Sequence, residues 1–169
     1  MNEISILMHL LSRRKNLYQI GATKKEVLSY LNIKGRNKSI FFLDLITNLS
    51  KYIEPLGIKI KFNPLDSHWF ISFDSSISDL ILANPFEGEP KLAGTLLCIL
   101  ICCLQHSGST TIQEVKKLRK KKGILGDLKE LGKRGYIFLE NDKIQLTPLI
   151  GYQLDIHKLF TKLALKLKE

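Results

Sequence analysis

Thr23-Lys24-Lys25-Glu26-Val27 and, 88 positions further on, Thr111-Ile112-Gln113-Glu114-Val115 repeat one pattern, Thr-x-x-Glu-Val. A threonine followed three residues later by glutamate has the spacing of a capping box. The threonine hydroxyl accepts from the glutamate amide, and the glutamate carboxylate accepts from the threonine amide. Each copy therefore starts a helix. Each also follows an apolar helical segment and a break of small residues. In the first copy these are Ile4, Leu7, Met8, Leu10 and Leu11, then Gly21; in the second they are Leu92 to Gln105, then Ser107-Gly108-Ser109. A supersecondary unit repeated at one period divides the chain into two small domains of about 80 residues each.

Outward from the first copy, Lys24 to Leu31 reads as a helix burying Val27, Leu28 and Leu31. After the polar turn Asn32 to Lys38, a third helix runs from Ser39 to Ile53. Pro55 and Gly57 close it. Two alternating runs follow, Ile58 to Phe62 and Trp69 to Phe73, which predict a hairpin. A short helix is expected over Ile77 to Ala83, and Asn84 to Pro90 carries the Pro and Gly of a linker. The second copy has a shorter third helix, Ile124 to Arg134, with Leu125, Leu128 and Leu131 inward. Its hairpin is Tyr136 to Glu140, a turn at Asn141-Asp142, and Lys143 to Thr147. A last amphipathic helix, Asp155 to Lys168, carries Ile156, Leu159, Phe160, Leu163 and Leu167 on one face.

Three helices and a hairpin, twice, predict a mainly helical α+β chain of tandem winged-helix (helix-turn-helix) domains with an extra C-terminal helix. The expected bounds are 1–83 for the first domain, 84–90 for the linker and 91–169 for the second.

Composition narrows the function. The longest apolar run, Leu92 to Leu104, has 13 residues, whereas a bilayer span needs about 20. The start Met1-Asn2-Glu3 lacks a basic n-region, so no signal peptide and no membrane partner are expected. Cys98, Cys102 and Cys103 share one helix and cannot staple distant segments, which fits a reducing, cytoplasmic compartment. Cys98, Cys102 and His106 recur at i, i+4 and i+8, but three successive turns span about 12 Å, too far for one tetrahedral ion. Buried thiols are expected, with no metal or cofactor.

His9, His68, His106 and His157 are scattered with no nucleophile motif attached, and Lys122-Gly123-Ile124-Leu125-Gly126 lacks the spacing of a phosphate loop. No enzyme is expected.

Charge is uneven. Residues 1–90 hold 11 Lys and Arg against 9 Asp and Glu, while residues 91–169 hold 15 against 7. Lys116-Lys117-Leu118-Arg119-Lys120-Lys121-Lys122 puts six positive charges in seven residues at a helix-turn-helix turn, where phosphates are contacted. Lys129 and Lys133 on the outward side of the following helix extend the patch. The alternative is a solvated basic surface. The first domain's third helix has too many apolar residues for one inward face, and Asp44 on its polar side would repel phosphate. Ile40, Phe41 and Phe42 are therefore expected at a protein interface, a dimer or partner contact, unless the helix Ile77 to Ala83 covers them.

The arrangement resembles segregation and condensation protein B and its relatives, kleisin-interacting tandem winged-helix elements of SMC complexes. Four features carry it: the paired domains; Leu49 to Ile58 with a wing ending Trp69-Phe70-Ile71-Ser72-Phe73; the helix Leu92 to Leu104 followed by Thr111 to Val115; and Leu128 to Ile137. The Lys116 to Lys122 run and the lysine-rich tail depart from the family, as in a divergent, archaeal-type relative. The resemblance implies a non-catalytic, nucleoid-associated adaptor in chromosome segregation and condensation. It would form a homodimer through its first domain and hold a kleisin; double-stranded DNA as a further partner is expected from the basic run instead. The competing reading is a DNA-binding transcription regulator or basal factor on the same fold.

Overall fold

Both capping boxes close as their spacing requires. The Thr23 amide donates to Glu26 Oε2 at 2.8 Å and the Glu26 amide to Thr23 Oγ1 at 3.2 Å; the corresponding distances for Thr111 and Glu114 are 2.9 and 3.3 Å. The computed structural model describes residues 2–73, 85–106, 108–120, 123–156, 158–159 and 161. The chain forms two compact units, Met1–Leu82 with Asp155–Glu169, and Ala83–Leu154.

The first unit runs α1 (Glu3–Ser12), β1 (Arg14–Asn16), β2 (Gln19–Ile20), β3 (Ala22–Thr23), α2 (Lys24–Tyr30), α3 (Lys38–Ile53), a 3-10 turn Glu54–Leu56, β4 (Ile58–Asn63) and β5 (His68–Phe73). Its sheet has the order β3-β5-β4, antiparallel throughout, with Thr23 opposite His68 and Phe62 opposite Trp69. The core is Leu7, Leu10, Leu11, Val27, Phe42 and Leu49 with their neighbours, drawn from all three helices. Gly21 has φ +81°, and a Cβ there would lie 1.9 Å from the Trp69 carbonyl oxygen, so only glycine lets the chain leading into β3 approach β5 this closely.

The second unit repeats the order: α4 (Pro90–Gln105), β6 (Ser109–Thr111), α5 (Ile112–Arg119), α6 (Ile124–Lys133), β7 (Ile137–Glu140), β8 (Lys143–Leu146) and a short α7 (Leu149–Gln153). Its separate sheet is ordered β6-β8-β7, with Thr111 opposite Lys143. Asn141 and Asp142 both have positive φ, 48° and 55°, the requirement of a tight two-residue hairpin turn. Leu96, Ile99, Val115, Leu128, Leu131 and Ile144 are among its buried side chains. Helix, strand, two helices and a hairpin, with the first strand beside the last, is a winged helix in each unit. The chain is an α+β tandem winged-helix protein.

Several expectations are corrected. The wings are three-stranded, because the residues leading into each capping box, Ala22–Thr23 and Ser109–Thr111, are extended and pair with the last strand. The hairpin β1–β2 lies in a segment with no apolar alternation to announce it. Leu125 is exposed; Ile124, Leu128 and Leu131, at i, i+4 and i+7, form the inward face instead. Leu31 ends its helix only partly buried. The expected helix Ile77 to Ala83 and residue Asn84 lie outside the described residues. So does most of the expected C-terminal helix, including Phe160, Leu163 and Leu167.

Candidate nucleic-acid and partner surfaces

Helix α5 buries Ile112 and Val115 and turns Lys116 and Lys117 to solvent. It stops at Lys120, also exposed, whose left-handed backbone (φ 48°) reverses the chain while its amide donates to the Lys116 carbonyl at 3.0 Å. Lys121 and Lys122 lie outside the described residues. From Gly123 the chain enters α6, which keeps Lys129 and Lys133 on its exposed side. The described lysines of the run and both α6 lysines thus lie at the surface of a helix-turn-helix.

Arg119 is placed differently. It is only partly exposed and reaches back over Gly94 of α4: Nη2 donates to the Lys91 carbonyl at 3.3 Å, and Nε to Thr95 Oγ1 at 3.4 Å. Thr95, fully buried, donates in turn to Asp127 Oδ2 of α6 at 2.7 Å. A side chain on Gly94 would crowd the guanidinium, with a Cβ 3.1 Å from Nη2. Arg119 therefore ties α4, α5 and α6 together, a role the sequence reading of one continuous basic run missed. Gly94, a glycine inside an apolar helix, was the available sign.

Arg134 makes a comparable clamp at the start of this unit. It contacts Glu89 through two nitrogens at 2.7 and 2.9 Å, Glu130 at 2.8 Å and the Pro85 carbonyl at 3.2 Å. The hydrogen bonds to Glu89 and then Glu130 hold the guanidinium all the more firmly protonated.

In the first unit Phe42 is not at the surface. It is 1% exposed and meets Trp69 edge-on, ring centroids 5.5 Å apart. Ile40 is 62% exposed and Phe41 partly buried against the core. Three consecutive residues on a helix point 100° apart, so one of the three had to face inward. The apolar surface lies elsewhere as well. On the wing, Ile58, Ile60, Phe62, Trp69, Ile71 and Phe73 share one face through the pairs 58–73, 60–71 and 62–69. Four of the six pack against the core, while Phe62 and Phe73 are 47% and 57% exposed. Phe62 and Trp69 stand 5.2 Å apart between ring centroids.

The thiols are inert in character. Cys102 and Cys103 are buried, Cys98 half-buried, and burial first, then the charges of Cys102 and Glu114, pushes Cys103 up to about 11. His106 Nδ1 sits 3.0 Å from the Cys102 carbonyl. Among the described residues no helix is long and apolar enough to cross a membrane.

No protein-family model and no curated protein matches the chain. Solved structures similar to it include a conserved hypothetical protein from Chlorobium tepidum, 14% identical over 90% of this chain and 96% of that one, TM-score 0.40. The Nse1-Nse3-Nse4 complex is similar at 14% identity over 75% of this chain and 59% of that one, TM-score 0.36. ScpB from Mycobacterium tuberculosis is similar at 13% identity over 89% and 93%, TM-score 0.34.

Proposed function

We propose that this chain is a non-catalytic accessory subunit of an SMC–kleisin complex, acting in chromosome segregation and condensation. The observation that carries the protein-binding part is on the wing of the first unit, whose apolar face packs against the core through four residues and leaves Phe62 and Phe73 about half exposed. These two rings offer anchors for the apolar side of an amphipathic helix. The kleisin identity of that helix, and homodimerisation through the first unit, are supported by the sequence resemblance. The tagged chain should retain a kleisin from its source cell at high salt, and Phe62→Ser with Phe73→Ser should abolish retention. A washed complex without a kleisin at any salt overturns the reading.

A specific observation favours DNA as a second partner: Lys116 and Lys117 of α5, Lys120 at its end, and Lys129 and Lys133 of α6 are all exposed. Phosphate contacts from these residues give binding with weak sequence preference and a steep salt dependence. A transcription regulator would instead lose base discrimination when α6 is changed.

A further inference from the structure

Five cations that are scattered in sequence gather at the α2–α3 turn of the first unit. Two adjoining concavities of about 450 and 480 Å³ lie there. Lys34, Arg36 and Lys38 line the first, Lys24, Lys25 and Lys38 the second, and no carboxylate lines either. Lys24 is held across the turn by a 2.9 Å hydrogen bond from Nζ to Ser39 Oγ, with its ammonium 5.8 Å from the Phe42 ring centroid. Glu26, the carboxylate of α2, is engaged by Lys15 and Thr23. Helix α3 has no acidic residue in its first turn, so its positive end adds to the cations. Like charges collected without a counter-charge raise the energy of the free surface, and a polyanion relieves it.

We infer that this turn is a second phosphate-contacting surface, which takes the backbone of double-stranded DNA. This goes beyond the reading above, in which the first unit serves protein alone. Position in the fold selects DNA over an acidic peptide. In a helix-turn-helix the turn and the start of the third helix approach the duplex backbone, and the second unit carries its own cations at the equivalent turn, ending at Lys120. Both units thus present basic turns, one built from a contiguous run and one assembled by the fold.

The full chain tests this by fluorescence anisotropy with a mixed-sequence duplex of about 30 base pairs, titrated from about 50 mM salt. Lys34, Arg36 and Lys38 are exposed, so their joint replacement by Ala should leave the fold intact, checked by circular dichroism. Affinity should fall at least tenfold, and the log–log salt slope should drop by up to about 2.7, at about 0.9 per phosphate. Lys34→Arg with Lys38→Arg should keep both near wild type. Lys51→Ala with Lys59→Ala, removing charge elsewhere on the unit, should change little. The inference is overturned if the triple variant binds like the wild type, if the Lys51 and Lys59 variant weakens binding as much, or if an acidic peptide of equal charge displaces the duplex at equal concentration. Kleisin retention, read on the same variants, stays unchanged, so its loss and the loss of DNA binding are separable.

Discussion

The two units use one backbone plan and anchor it differently. At the offset of 88 residues Thr23 and Glu26 coincide with Thr111 and Glu114, and Gly21 with Ser109. In the first unit the approach to β3 is pressed against β5 and admits no side chain, whereas the second tolerates a serine. The first unit inserts the hairpin β1–β2 before its capping box, and from it Lys15 reaches Glu26. The second has no such hairpin and instead stitches its helices through Arg119, Thr95 and Asp127. A shared fold therefore fixes where the helices start; what holds them is set by residues outside the repeat.

The comparison breaks most sharply at Gly21. Gly21→Ala forces an L-residue to φ +81° and a carbon to 1.9 Å from a backbone oxygen, which flexible side chains cannot relieve. The first unit should lose about 3 kcal/mol or more. Ser109→Ala, at the matching position, should cost less than about 0.5 kcal/mol. Residue-resolved amide hydrogen exchange on the full chain checks both, with β5 losing protection in the first variant and β8 keeping it in the second. Equal effects would make positions 21 and 109 equivalent in their sheets.

The second unit's own anchor comes next in size. Thr95→Val keeps the shape of a fully buried side chain and removes the hydroxyl that joins Arg119 to Asp127. Leaving those groups without it should cost about 2 kcal/mol, read as faster exchange in α5 and α6 with α2 and α3 unchanged. Protection unchanged in α5 and α6 would mean that Arg119 does not tie the helices.

What could be read in advance follows from how local each signal is. A capping box needs only residues three apart, so both helix starts, and with them the tandem fold, were legible at Thr23 and Thr111. The hairpin turn at Asn141-Asp142 was legible for the same reason. Strands β3 and β6 were not, since two or three residues of extended chain carry no periodicity and exist through pairing with β5 and β8. The surfaces divide likewise. Lys116, Lys117 and Lys120 belong to one run of sequence and are legible there, whereas Lys24, Lys25, Lys34, Arg36 and Lys38 are brought together only by the α2–α3 turn. Phe42 was misplaced because composition gives the apolar excess of α3 but not the phase of the helix, which the contact with Trp69 reveals.

The smallest expected effect sharpens the comparison through pH. Burial disfavours the charge on Glu26, but the Lys15 hydrogen bond, the Thr23 amide and the Thr23 hydroxyl outweigh it and hold the carboxyl at about 2, against an ordinary 4.5. A carboxyl lowered in the folded state stabilises the fold above its unfolded pKa, and that contribution is lost as pH falls through the folded one. The first unit should therefore weaken between about pH 4.5 and about pH 2, by about 1 kcal/mol after solvent screening. Glu114 is lowered too, first by the Thr110 hydroxyl and then by the Thr111 amide, with His106 adding a smaller share from 3.3 Å and, among the described residues, no lysine playing the part of Lys15. Its pH response should have the same sign and a smaller size. Glu26→Gln keeps an acceptor for the Thr23 amide and removes the charge that Lys15 answers, so it should flatten the acid limb measured in β3 and α2. Glu114→Gln should leave that limb as it is. An acid limb of equal steepness in both units, or one that survives Glu26→Gln, would show that Lys15 and the inserted hairpin do not distinguish the two capping boxes.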